Sequence, residues 1–119
     1  MKDILLKFKE LKINKSQLKK EIGEDLYNVD CPSPILVNIQ DLSKVIRSYI
    51  DKKISLQQLV DWVNIVWFTE LFELPEKESD SIISVLEVLE TLDEDEVTIC
   101  AEDFSKMLIS LSNNNIYIQ

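Results

Sequence analysis

Three features of the 119-residue sequence predict an all-α fold. Apolar residues recur at three- and four-residue spacing through most of its length. Several of these runs open on a polar capping residue followed three positions later by Gln or Asp. Helix-interrupting residues are few and confined to one glycine, Gly23, and three prolines, Pro32, Pro34 and Pro75. The expected architecture is five or six short helices in a compact bundle or orthogonal array, with a possible short C-terminal extended segment, in a single domain over 1–119.

The elements follow in chain order. Over 3–13, Ile4, Leu5, Phe8 and Leu11 share one face and lysines the other. Asn14 caps a second helix over 15–22 with Gln17 at the third helical position, and Gly23 ends it. The connector 28–37 holds Pro32 and Pro34, so it predicts a turn and then an extended Ile35-Leu36-Val37. Asn38, with Asp41 three later, caps a helix to about residue 51 whose inner face is Leu42, Val45, Ile46, Tyr49 and Ile50. Ser55, with Gln58, caps the next. Apolar residues from Leu56 to Phe72, including Trp62 and Trp67, nearly encircle it, and this predicts the central, most buried helix, ended by Pro75. A fifth helix over 79–92 buries Ile82, Ile83, Val85, Leu86, Leu89 and Leu92. Thr98 caps a last helix over 99–111 with Phe104, Leu108 and Leu111 inward, and Ile116-Tyr117-Ile118 reads as a short strand or ordered extension.

Charge divides the chain. Residues 1–22 carry seven lysines against three carboxylates, a net +4, whereas residues 54–105 carry fourteen carboxylates against Lys77 alone, a net −13. The chain thus reads as basic helices over 1–27, the connector, an acidic helical core over 38–112 and a tail over 113–119. A field so lopsided steers toward basic partners and away from nucleic acid. The chain has no histidine, the commonest general base and zinc ligand, and one glycine, too few for a phosphate-cradling loop. Asp93-Glu94-Asp95-Glu96 lacks the glycine and spacing of a calcium loop. No cofactor, metal or catalytic residue is expected. Apolar runs are too short for a signal peptide or a membrane span, and Cys31 and Cys100 form no C-x-x-C pair; free thiols in a reducing cytoplasm are the simplest reading, a disulfide the other.

The candidate binding surface is acidic. Asp80, Glu87, Glu90 and Glu94 recur at helical spacing on the outer face of the fifth helix and continue into Asp93, Asp95 and Glu96. Glu70, Glu73, Glu76 and Glu78 extend the patch from the segment before it. A solvated face kept for solubility would be served as well by interspersed lysines, and almost none are present. Trp62 and Trp67 read as core, and self-association through Leu71, Phe72 or Tyr117 is left open.

Two resemblances bear on function. The run K-I-N-K-S-Q-L-K-K-E-I-G, residues 12–23, resembles the opening of a phage-repressor helix-turn-helix. There the next helix reads DNA, but here it would come from 24–29, where Glu24, Asp25 and the nearby Asp30 oppose phosphate. Over 42–111, a helix ending in Tyr49, the Lys52-Lys53 turn, Ile54-Ser55-Leu56-Gln57-Gln58-Leu59-Val60-Asp61-Trp62, the acidic connector 73–80 and a last helix entered through Thr98 make a second pattern. It resembles small bacterial immunity proteins of contact-dependent inhibition and other polymorphic toxin systems. The paired-tyrosine motif of the nuclease-colicin immunity proteins is absent, so none of their interface residues transfers. The resemblance implies a cytoplasmic, non-enzymatic inhibitor whose acidic helical face binds and blocks a basic toxin domain, a nuclease first among them. The alternatives are a nucleic-acid-mimicking inhibitor of anti-restriction or anti-CRISPR type, or a helix-turn-helix regulator.

Overall fold

The computed structural model describes residues 2–23, 25–94 and 99–118. In chain order these form α1 (Lys2–Lys9), α2 (Lys15–Ile22), a 3-10 turn (Leu26–Asn28), β1 (Ile35–Leu36), α3 (Ile39–Ile50), α4 (Leu56–Phe68), β2 (Phe72–Glu73), α5 (Ser79–Leu89) and α6 (Ala101–Ser112). The fold is all-α, with six helices and one two-residue strand pair among the described residues.

Local chemistry sets the helix starts. In each of three capping boxes the cap side chain accepts the amide three residues on, and that residue's side chain accepts the cap amide. The pairs are Asn14 with Gln17 (2.8 and 2.8 Å), Asn38 with Asp41 (2.9 and 3.0 Å) and Ser55 with Gln58 (3.1 and 2.8 Å). The helix ends are less ordinary. With one glycine in the chain, Gly23 takes a left-handed cap (φ 78°) and three more fall to Leu11 (φ 65°), Lys52 (φ 61°) and Asn114 (φ 52°). Each of these three turns is closed by an amide reaching back five residues: Lys12 to Lys7, Lys53 to Ser48 and Asn115 to Ser110, all at 2.8 Å.

Helix α1 therefore stops at Lys9, not at residue 13. Its last carbonyls are all taken: Leu6 by the Glu10 amide, Lys7 by Lys12, Phe8 by Leu11, and Lys9 by the Trp62 indole N–H at 3.1 Å. Trp62 is fully buried, so the central tryptophan both fills the core and caps a neighbouring helix.

Helix α4 is the central element, burying Leu59, Val60, Trp62, Val63, Ile65 and Val66, but it ends at Phe68 and not at Phe72. The Thr69 hydroxyl donates to the Ile65 carbonyl (2.5 Å) and accepts the Leu71 amide (3.3 Å), turning the chain out of the helix. The Leu71 and Glu73 carbonyls then accept the Ile35 and Val37 amides (3.0 and 2.9 Å), making β1 and β2 a parallel pair. A parallel pair needs a crossover between its strands. Here the α3–α4 hairpin is that crossover.

Helices α3 and α6 make the most extensive helix–helix contact, while α4 packs on α5, and α2 and the 3-10 turn pack on α4. Helix α5 closes at Leu89, three residues short of expectation, and tightens into short-range turns through Glu94. Helix α6 begins at Ala101. Its cap is Cys100, whose amide and thiol both donate to Asp103 (3.0 and 3.1 Å), and the expected cap Thr98 lies outside the described residues. Its inner face is Phe104, Met107 and Leu111, with Leu108 only half-buried. No disulfide joins Cys31 to Cys100. No helix among the described residues is long and apolar enough to cross a membrane.

Candidate functional site

The acidic surface is built from three stretches of chain. Glu70 lies in the bend after α4, Glu73 on the exposed side of β2, and Glu76 in the turn before α5, all exposed. On α5, Asp80 and Glu87 stand one heptad apart on the outer side and are exposed, while Glu90, at the helix end, is half-buried. Asp93 and Glu94 are exposed, but they follow the end of the helix, so the expected helical stripe stops at Glu90. Asp95 and Glu96 lie outside the described residues.

Glu78 has a different occupation. It is half-buried, and its carboxylate accepts the amide of Ile39 at 2.9 Å. That amide is the first of α3, one of the donors a helix leaves unsatisfied, and the partial positive charge there favours a carboxylate. Glu78 thus ties the start of α5 to the start of α3 and is held inward, apart from the other carboxylates of the patch.

None of the remaining acids of this surface forms an ion pair among the described residues. The ion pairs formed there are Lys9 with Asp41 (3.3 Å), Lys12 with Glu10 (3.1 Å) and Lys106 with Glu102 (3.5 Å). Of the N-terminal lysines, Lys9 pairs with an acid of α3 and Lys12 with one of its own turn, and neither pairs with the 70–94 surface. Lys9 also donates to the Leu36 carbonyl (3.5 Å), and the Lys9–Asp41 pair is sheltered, with side chains 15% and 20% exposed. Lys12, hydrogen-bonded to Glu10, holds that carboxyl below the usual range, with Lys44 and Lys9 adding to the effect. These lysines, with Arg47 and Lys53, line a groove of about 520 Å³ between the α1–α2 turn and α3. Glu10, Asp41 and Asp51 share that groove, so carboxylates are interleaved with its cations.

The C-terminal tail also lies on this surface. The Asn114 side chain donates to the Lys77 carbonyl (3.0 Å) and accepts the Ser81 hydroxyl (2.7 Å), and the Tyr117 amide donates to the Ser84 hydroxyl (2.8 Å). Among the described residues the tail forms no strand; it is a strap along α5. Tyr117 is buried at 7% exposure, and burial, then the Asp103 carboxylate, pushes its phenol pKa up. Leu71 and Phe72 are buried as well, so none of the three residues considered for self-association is a surface anchor. The exposed apolar side chains are others, among them Ile109, Ile116, Ile118 and Phe68, the last stacked on Trp67 with ring centroids 4.6 Å apart. The apolar run Ile116-Tyr117-Ile118 between Asn115 and Gln119 is the sequence signal for this segment, and alternating burial in the structure singles out Ile116 and Ile118.

At the N-terminus, α1 and α2 pack together, but the segment that a helix-turn-helix would use as its recognition helix is the three-residue turn Leu26–Asn28 capped by Asp25. Tyr27, the middle residue of that turn, has its phenol pKa raised by burial and then by Asp61 and Asp25. Among the described residues no group of three histidine, cysteine, aspartate or glutamate side chains is placed to hold a metal ion. No protein-family model, curated protein or solved structure matches the chain.

Proposed function

We propose that this protein is an immunity-type inhibitor, acting in the cytoplasm, that binds a cognate toxin domain through the acidic surface around α5 and covers its active site. The observation that carries the reading is the set of exposed carboxylates, Glu70, Glu73, Glu76, Asp80, Glu87, Asp93 and Glu94, without an ion-pairing cation among the described residues. Their mutual repulsion is a standing cost to the fold, and a cationic surface brought against them relieves it. A nuclease supplies such a surface, because its groove must neutralise phosphate.

Co-expressing the chain with the neighbouring genes of its operon and purifying the complex tests this. The expected result is a basic nuclease bound to the chain and inhibited by it. Its association rate should fall roughly tenfold or more between ~0.05 and ~0.5 M salt, and Asp80→Asn/Glu87→Gln should slow it. An association rate indifferent to salt would overturn the steering role of the face. Capture of a restriction or CRISPR-type nuclease would assign the same surface to nucleic-acid mimicry instead.

A further inference from the structure

We infer that Ile116 and Ile118 form the apolar anchor of the acidic surface, seated by a cationic partner whose lysines or arginines flank a shallow apolar pocket. The inference rests on the acidic-surface reading above and specifies what that surface offers besides charge. Exposure alternates along the tail: 59% at Ile116, 7% at Tyr117 and 83% at Ile118. Tyr117 is the peg, and its two neighbours project into solvent. Ser84, which accepts the Tyr117 amide, stands four residues after Asp80 and three before Glu87, hence on the same side of α5 as both. Both carboxylates are exposed and without an ion pair among the described residues. The two isoleucines therefore sit beside a helix ridge that carries a carboxylate one turn to either side.

Single exposed aliphatic side chains are common on protein surfaces and carry no message. What distinguishes this pair is how it is held. One hydrogen bond donated and one accepted by the Asn114 side chain, one donated by the Tyr117 amide and a buried tyrosine fix the segment before any partner arrives. Binding there would forfeit little conformational freedom, and loss of such freedom is a main opposing cost in association. An apolar centre within a charged rim is also the arrangement in which interface energy concentrates. Charge fixes the partner's chemistry: the chain carries a net −9, so the apolar pocket that receives the isoleucines must lie in a basic surface.

Two synthetic helical peptides of equal positive charge test this by calorimetry at fixed salt. One has a leucine face and a lysine face; in the other, serines replace the leucines. The wild-type protein is expected to bind the leucine–lysine peptide roughly tenfold or more tightly than the serine–lysine peptide. Ile116→Ser/Ile118→Ser, with Tyr117 kept, should abolish that difference and leave the serine–lysine affinity and the thermal midpoint unchanged. Asp80→Asn/Glu87→Gln should weaken both peptides. If the isoleucine variant retains the full preference, the anchor is overturned and the acidic-surface reading stands. If neither peptide binds the wild type, the acidic-surface reading fails and the anchor with it.

Discussion

At the scale of single residues, the chain's shortage of glycine is its most testable peculiarity. Three helices end on a non-glycine residue in the left-handed region, where a side chain costs about 1–2 kcal/mol. Lys52 is exposed and forms no ion pair among the described residues, so it isolates the backbone effect. Lys52→Gly should stabilise the protein by about 0.5–1 kcal/mol, a rise of about 2–6 °C in Tm by calorimetry. Leu11→Gly makes the informative contrast. Leu11 packs against the core, and its lost contacts should outweigh the relief of strain. Sequence made some residue roles plain and hid others. Asn14, Asn38 and Ser55 were legible as caps because each closes a bond within three residues. Glu78 was not, because its partner Ile39 lies 39 positions away and nothing in its own neighbourhood sets it apart from the solvated acids.

Elements were legible where periodicity and capping agreed, as in α2 and α3. They were misplaced where tertiary pairing decided the matter. Apolar spacing alone carries α4 on to Phe72, yet the Ile35 and Val37 amides need acceptors and the 71–73 backbone supplies them. The local signals were the β-branched Thr69 and Pro75, which biases Leu74 toward extended backbone. Thr69 is buried and joins helix to strand through both its hydroxyl bonds. Thr69→Val should therefore cost about 1–3 kcal/mol in urea denaturation, because it strips the Leu71 amide of its acceptor. Thr69→Ser keeps the hydroxyl and should lose clearly less; a loss from Thr69→Ser with none from Thr69→Val would show that methyl packing, not the hydrogen bond, ends the helix. The start of α6 is hidden for a different reason. Cysteine is not a preferred cap, and Cys100 is made effective by Asp103 reaching back to it, so the sequence alone favours Thr98.

For the whole molecule, a run of exposed carboxylates over 70–94 was legible from composition. Its shape was not. The acidic surface gathers from a bend, a strand, a turn and a helix, and the tail that crosses it is pinned by serines of α5 about thirty residues upstream. Repulsion among the exposed carboxylates of the 70–94 surface, which form no ion pair among the described residues, makes stability depend on screening. Raising NaCl from ~0.02 to ~0.5 M should lift Tm by about a few degrees, since salt weakens exposed repulsions more than the sheltered Lys9–Asp41 pair. A falling Tm would mean that favourable ion pairs, not repulsion, dominate the surface.

The pairing of β1 with β2 governs how this protein can be dissected. The strand that leads out of the basic N-terminal region is bonded directly to the strand that leads into the acidic half. Lys9 of α1 holds on to that strand at Leu36 and to α3 at Asp41. Cutting the chain before Asn38 would strip β2 of its mate and Trp62 of the carbonyl it caps, leaving a raw sheet edge that invites aggregation. Deletion mapping would then score lost folding as lost recognition. Point substitutions on exposed side chains such as Asp80, Glu87, Ile116 and Ile118 are the dissection that this topology permits.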